Sequence, residues 1–285
     1  MMRIAIFLTA ALLTFGAGSP ALAADQSEKL QWQKGPLEVP LGEQGRLQLP
    51  AAYSFLDAKQ TRAMLSRLGH DAAQKTFGMV VEDPTADKSW AVILEWEGDG
   101  LVKDDEARIW TPDQVFAAVV QTYATINIQA ASIGMPEFKL AGWAAPPQYD
   151  AAKHQLVWGL AGDSEGQPLV RYHAVLLGRE GYLSVSMATS PADLPAYQAK
   201  TQALLAGIRF LEGKRYEDFN PASDRTSSDG LTALVAETRA AAKVAATLGP
   251  WLDWLRQSKV APFVAFAFAI VAFRFLAKRA LRSAG

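Results

Sequence analysis

From Val260 to Phe273 the chain carries no charged residue, and Arg274, Lys278, Arg279 and Arg282 follow at once. A segment this apolar is unstable in water, so the rest of the chain must fold while held at this end. At 1.5 Å per residue the uncharged run spans only about 21 Å, whereas a bilayer core needs about 30 Å. The flanks must therefore help. Arg274 can snorkel toward the basic end, and Trp251 and Trp254 can sit at the other interface. Gly249-Pro250 breaks the preceding helix, and Pro262 falls in the first apolar turn, where a missing N–H costs least. An amphipathic helix lying on the membrane is the competing reading, but the run is apolar on all sides. The expectation is a transmembrane helix over residues 258–277 with a basic tail, 278–285, held in the cytoplasm by the positive-inside rule.

The other end predicts the same topology independently. Arg3 is a short positive region, Ile4 to Gly18 are uncharged and mostly apolar, and Ala21-Leu22-Ala23 is a small-x-small cleavage pattern. Residues 1–23 thus read as a secretory signal peptide rather than an uncleaved membrane helix. The two ends together predict a single-pass protein of a bacterial inner membrane, its main domain periplasmic.

Between the ends lie about 230 residues, enough to bury a core without covalent staples. Cysteine is absent, which excludes disulfides, thiolate nucleophiles, Cys-ligated zinc, iron–sulfur clusters and a cysteine-linked lipid anchor. A net charge of −1 gives no general pull toward nucleic acid, so none is expected as partner.

Short strands are expected around Leu37, Val39, Leu47 and Leu49. Asp57 caps a helix over 58–68 that Gly69 stops. Phe77 to Glu82 reads as a strand, as does Trp90 to Trp96, where Trp90, Val92, Leu94 and Trp96 share one face at period two. Thr111-Pro112 opens the longest soluble helix. Its stripe is Val115, Phe116, Val119, Val120, Tyr123 and Ile126, with Asn127 beside it. Strands are expected near 138–143, 155–160, 169–177 and 182–188, with a tight hairpin from Leu177 to Tyr182. A helix starts at Leu194-Pro195, and a short strand at Arg209-Phe210 is expected to close the sheet. Residues 24–219 thus read as an α+β extracytoplasmic domain, its sheet or sheets largely antiparallel and packed by helices. The strands-then-helix pattern occurs twice, before and after about residue 135, without a residue-level repeat. Residues 220–229 read as a polar linker. Residues 230–257 read as a juxtamembrane helical stalk, its weak stripe of Leu231, Leu234, Val235 and Leu248 suited to helix–helix contact or solvent.

The chemistry-bearing motifs are sparse. The three histidines, His70, His154 and His173, have no metal-ligand spacing among themselves or with carboxylates. Nucleophile-elbow, phosphate-loop and dinucleotide fingerprints are missing, and neither cofactor nor metal is expected. The acidic stretch from Glu95 to Glu106 offers Asp104 and Asp105 as a candidate acidic site, for calcium or acid–base work, against the plainer reading of a solvated turn. Trp143, Pro146, Pro147, Tyr149 and Asp150 form an aromatic, proline-fixed cluster suited to a binding surface or to core packing. Arg179, at a hairpin tip, can offer its guanidinium to a phosphate or carboxylate, or pair with Glu180. Trp143, Pro147, Tyr149, Asp150 and Arg179 are the candidate binding residues; no catalytic residue is assigned. Lys214, Arg215, Tyr216 and Asp218 form either a membrane-proximal anion contact or a capping network.

From about Gly35 to Val235 the chain resembles a family of membrane-anchored prokaryotic proteins, domain of unknown function 2167. The resemblance rests on Leu49-Pro50 with Tyr53-Ser54-Phe55-Leu56, Gly78-Met79-Val80 before Pro84, and Gly100-Leu101-Val102-Lys103-Asp104-Asp105. It rests further on Gly142-Trp143 with Pro146-Pro147-Gln148-Tyr149-Asp150, Leu176 to Gly181, Gly213 to Phe219, and Gly230 to Val235. Two departures stand out. Arg171 precedes Tyr172 where the resemblance leads one to expect Asn, and Glu237-Thr238 replace small residues. The resemblance implies an anchored envelope domain and supplies no activity. A fold-level analogy to the Mog1/PsbP sandwich rests on the Leu-Pro-x-x-Tyr entry and the late helix running into Ile208-Arg209-Phe210, and leaves two similar halves of that type open.

These readings favour a membrane-anchored extracytoplasmic binding or scaffolding protein with an envelope protein partner, its oligomeric state unspecified. The alternatives are an envelope hydrolase using carboxylates such as Asp104, Asp105 or Asp150, and a carrier of lipid or small molecules.

Overall fold

A computed structural model describes residues 30–67, 75–86, 90–132 and 137–237. The expected signal peptide, the transmembrane helix, the basic tail and most of the expected stalk lie outside them. Among the described residues no helix is long and apolar enough to cross a membrane.

The chain order is β1 (Gln33–Lys34), β2 (Leu37–Leu41), β3 (Gly45–Leu49), β4 (Ser54–Asp57), α1 (Ala58–Arg67), β5 (Thr76–Val81) and β6 (Ala91–Glu97). Then follow α2 (Pro112–Ser132), β7 (Lys139–Asp150), β8 (Gln155–Ser164), β9 (Gln167–Leu177), β10 (Tyr182–Thr189), α3 (Leu194–Leu205), β11 (Ile208–Phe210) and α4 (Leu231–Val235). An eight-stranded antiparallel sheet runs β1-β4-β5-β6-β10-β9-β8-β7, and a three-stranded sheet runs β11-β3-β2. The strands before and after residue 135 therefore share one sheet, joined where β6 pairs with β10.

Strand parity divides the core. On one face Val92, Leu94, Tyr172, Ala174, Leu183 and Val185 pack under the small sheet and α3. On the other, Leu156, Trp158, Leu160, Val175 and Leu177 pack under α2 and α4. Farther along that second face, α1 rests on β4 and β5. The period-two face expected for β6 is real: Val92, Leu94 and Trp96 all join the first cluster.

Two of the expected helix starts, those of α1 and α2, carry side-chain caps. Asp57 accepts from the Gln60 N–H at 2.9 Å while the Gln60 amide donates back to it at 2.8 Å. At the head of α2 the bonds are reciprocal: the Gln114 N–H donates to the Thr111 hydroxyl oxygen, and the Thr111 N–H donates to Gln114 Oε1. Within α2, Val115, Val119 and Tyr123 are buried, but Val120 is 48% exposed, so the packed stripe is narrower than the expected one. Asn127 closes the helix end onto Phe138, donating to its carbonyl and accepting from its N–H.

Three features differ from expectation. β11 does not close the main sheet; it pairs with β3 and builds the second one. β7 does not stop at Trp143 but continues to Asp150 through three register shifts. It is the edge strand, and Pro146 and Pro147 fall in the shift between Ala145 and Gln148, where neither has a β8 partner, so they cost no ladder bond. Residues 220–229 are strapped to the domain rather than standing off it. Leu101 donates to the Arg225 carbonyl, and Ser227 donates to that of Leu101. Gly100 permits this approach, since at φ +101 its position is closed to most side chains and a Cβ would meet the Arg225 oxygen at 2.6 Å. Beyond the strap, α4 enters the core, with Leu231, Leu234 and Val235 buried and α2 against it. The folded unit thus runs past residue 219 to Glu237.

Candidate functional site

The second face of the large sheet carries two clusters of histidine, tyrosine and carboxylate. The first is built at the end of the sheet. β7 and β8 present Tyr149 opposite Leu156 on this face, and the turn between them delivers His154 in a left-handed conformation (φ 47). Asp104 comes from the loop after β6. The Tyr149 hydroxyl donates to Asp104 Oδ2 at 2.7 Å and lies 3.2 Å from His154 Nδ1. The hydroxyl has one proton, and Asp104 receives it. His154 Nδ1 must therefore donate to the phenol oxygen, which leaves Nε2 as the ring's remaining polar atom. The ring stacks on Tyr216 at 4.0 Å and 22°, and Tyr216 donates to the Val102 carbonyl at 3.1 Å. Burial, then the bond to Asp104, pushes the Tyr149 phenol well above its ordinary range. Burial and the Asp104 charge do the same for Tyr216. Neither tyrosine is set up to ionise. His154 and Tyr216 form one wall of an open cleft of ≈ 710 Å³, whose other walls come from the α3–β11 corner.

The second cluster lies where β9 passes under α4. Tyr123 donates to Glu237 Oε1 at 3.1 Å and accepts from Arg171 Nη1 at 2.8 Å. Arg171 Nη2 lies 3.7 Å from Glu237 Oε2. His173 Nε2 lies 3.2 Å from Glu237 Oε1 without hydrogen-bond geometry, and is a buried nitrogen with no partner. The Trp158 ring stacks on it at 5.1 Å and 14°. Burial drives the His173 pKa down to about 4, so the ring is neutral near pH 7. Burial alone would raise the Glu237 carboxyl, but Arg171 and the Tyr123 donor hold it below its ordinary value. The two departures from the family pattern, Arg171 and Glu237, are thus partners.

The candidates picked from sequence divide between these and other places. Tyr149 and Asp104 meet; the others do not join them. Trp143 packs on Phe116 of α2 at 5.2 Å, its indole nitrogen buried without a partner. Pro147 is half-buried on the edge strand, beside the exposed Pro146. Asp150 turns to the opposite face, opposite Gln155, and pairs with Lys153 at 2.6 Å. Arg179 grips Asp224 of the strap through two bonds, 2.6 and 2.9 Å, and donates to the Gly213 carbonyl. That contact holds the Asp224 carboxyl far below the usual range. Asp105 is exposed in a 3-10 turn over residues 105–108 and does not converge on Asp104.

The acidic stretch is dispersed into separate tasks. Glu97 pairs with Lys75, and Glu106 accepts from the Thr232 N–H at 2.9 Å to cap α4. Among the described residues no group of His, Asp and Glu is arranged to hold a metal. From sequence, His154 and His173 are weighed only as metal ligands, Tyr123 only as core and Tyr216 only as an anion contact or cap, and none of them is assigned to a site. Arg171 and Glu237 carry a signal as opposite charges at two off-pattern positions.

The fold and its two clusters define an antiparallel α+β domain covered on one face by a small sheet and on the other by helices. The family model described as "Protein of unknown function (DUF2167)" matches residues 33–265, and the chain belongs to that family. No curated protein matches it. Among solved structures it is similar to the cyanobacterial PsbP (CyanoP) of Synechocystis sp. PCC 6803. Identity is 12%, coverage 68% of this chain and 98% of that one, and the TM-score 0.35.

Proposed function

We propose that this protein is a membrane-anchored extracytoplasmic binding or scaffolding module of a bacterial envelope. A signal peptide exports it, and one C-terminal transmembrane helix holds it on the outer face of the inner membrane. The layout as two similar halves, each giving antiparallel strands to the common sheet, belongs to the same proposal. The observation that carries the binding role is the open cleft beside the Asp104–Tyr149–His154 set, which leaves one polar ring atom uncommitted at its wall. Such a concave site with few polar groups suits recognition. A carboxylate hydrolase would need two carboxyls converging, one of them held protonated near neutrality. Every carboxylate here with a resolved shift is instead moved downward, by donors or by cations. A carrier would need a closed apolar cavity, whereas the ≈ 710 Å³ cleft is open.

Alkaline carbonate washing checks the anchor: the intact chain stays with the membranes, and its release would end this reading. Recovery from gently solubilised membranes checks the binding role. A second component is expected whose retention depends on Tyr149 and His154; the chain alone, with or without those side chains, counts against it.

A further inference from the structure

The cleft has a polarity gradient that narrows its ligand. Its floor is apolar, formed by the buried side chains of Leu176, Leu205 and Ile208. Its middle is the stacked His154–Tyr216 pair. Its mouth holds the exposed residues Arg209 and Arg215, and neither guanidinium has an ion-pair partner among the described residues. Arg209 Nη1 donates to the carbonyls of Ala206 and Ile208, both at 2.7 Å. These two bonds fix the guanidinium at the corner and leave its other donors unused. Of the remaining charges at the mouth, Lys153 is neutralised by Asp150, and Glu217 is the opposing carboxylate. Two arginines against one glutamate favour an anion. Arginine's planar fork suits phosphate or carboxylate oxygens.

We propose that this cleft binds an amphiphilic anion, a phosphate or carboxylate head on an apolar body. The head sits between Arg209 and Arg215, and the body runs inward past the His154–Tyr216 pair over Ile208 and Leu205. The assignment rests on the binding reading above and adds its ligand class. It also gives a use to Arg215 and Tyr216, which the sequence presents as either an anion contact or a cap. The head can belong to a free fatty acid, a lysophospholipid or a membrane lipid, and competition separates these sources.

The test uses the full chain in phosphatidylcholine nanodiscs, titrated with dansyl-undecanoate and read by dansyl fluorescence. Saturable binding is expected, and the double variant Arg209→Gln/Arg215→Gln weakens it by about tenfold or more, because two charge-assisted contacts are lost. Palmitate and lysophosphatidic acid displace the probe; the better competitor names the head group. Adding phosphatidylglycerol to the disc displaces it only if a bilayer lipid reaches the cleft. Equal competition by methyl palmitate overturns the anionic half of the proposal, and equal competition by inorganic phosphate overturns the apolar half. Unchanged binding by the double variant overturns the location. No probe binding by a chain that still resists carbonate and retains a partner overturns this inference and spares the broader reading. Probe binding by a chain that carbonate releases does the reverse.

Discussion

The Tyr123–Arg171–His173–Glu237 cluster and the Asp104–Tyr149–His154–Tyr216 cluster both combine tyrosine, histidine and a carboxylate on the same face of one sheet, and the first adds an arginine. In the first, Glu237 and His173 expose only 14% and 12% of their side chains, and the one cation and one anion face each other. In the second, Asp104 and His154 expose 25% and 27%, and the polar chain ends on an imidazole nitrogen beside a cleft. Closure separates them. A set whose charges neutralise each other under a helix fixes α4 to the sheet. A set with one uncommitted donor or acceptor at an open wall can take a ligand.

The comparison is sharpened most by pH. His173 has its pKa depressed from 6.5 to about 4 in the fold. The unfolded chain therefore binds the proton first, and stability falls as pH drops from 6.5 toward 4. The loss is on the order of 3 kcal/mol for this group. Urea unfolding of the full chain at pH 7 and pH 4.5 measures it, and His173→Gln should flatten the slope. An identical slope in the variant would break the claim that this cluster is sealed.

Next in size is the ion pair. Glu237→Gln leaves Arg171 facing an amide, and a fully buried pair broken this way loses about 3–5 kcal/mol. Arg171 keeps 35% of its side chain in solvent, so about 2 kcal/mol is expected here. Adding Arg171→Asn restores a neutral pair, and the double variant should be more stable than Glu237→Gln alone. Additive losses would mean that the two residues act independently.

In the open cluster Tyr149→Phe removes two part-buried hydrogen bonds, the one to Asp104 and the one from His154, with an expected loss of about 1–1.5 kcal/mol by the same unfolding assay. Smallest is His154→Asn, which keeps a residue tolerant of the left-handed turn. The loss should stay within about 0.5 kcal/mol. A loss above that of Glu237→Gln would make His154 a structural keystone and erase the distinction between the clusters.

Much of the domain is legible in local signals. The caps at Asp57 and Thr111, the alternation along β6 and the Leu177–Tyr182 hairpin depend on neighbours within a few residues, so the chain announces them. The tertiary arrangement overrules the local signal where an edge or a partner decides. Pro146 and Pro147 look like a strand's end but sit in a register shift of an edge strand, where neither N–H would have a partner. Residues 220–229 look like a linker until the Arg225 carbonyl finds Leu101 and Asp224 finds Arg179. The candidate site was half legible. Tyr149 and Asp104 were both marked, 45 residues apart, but nothing local says that they touch.

Composition and order along the chain determined the absence of thiol chemistry, the strand and helix periods, and the apolar, basic-bordered end, because each depends on residues adjacent in sequence. Only the tertiary structure decided that Arg171 answers Glu237, that Arg179 is spent on the strap, and that His154 faces a cleft. Those outcomes depend on which distant side chains the sheet register brings within about 3–4 Å of each other, the reach of a hydrogen bond or an ion pair.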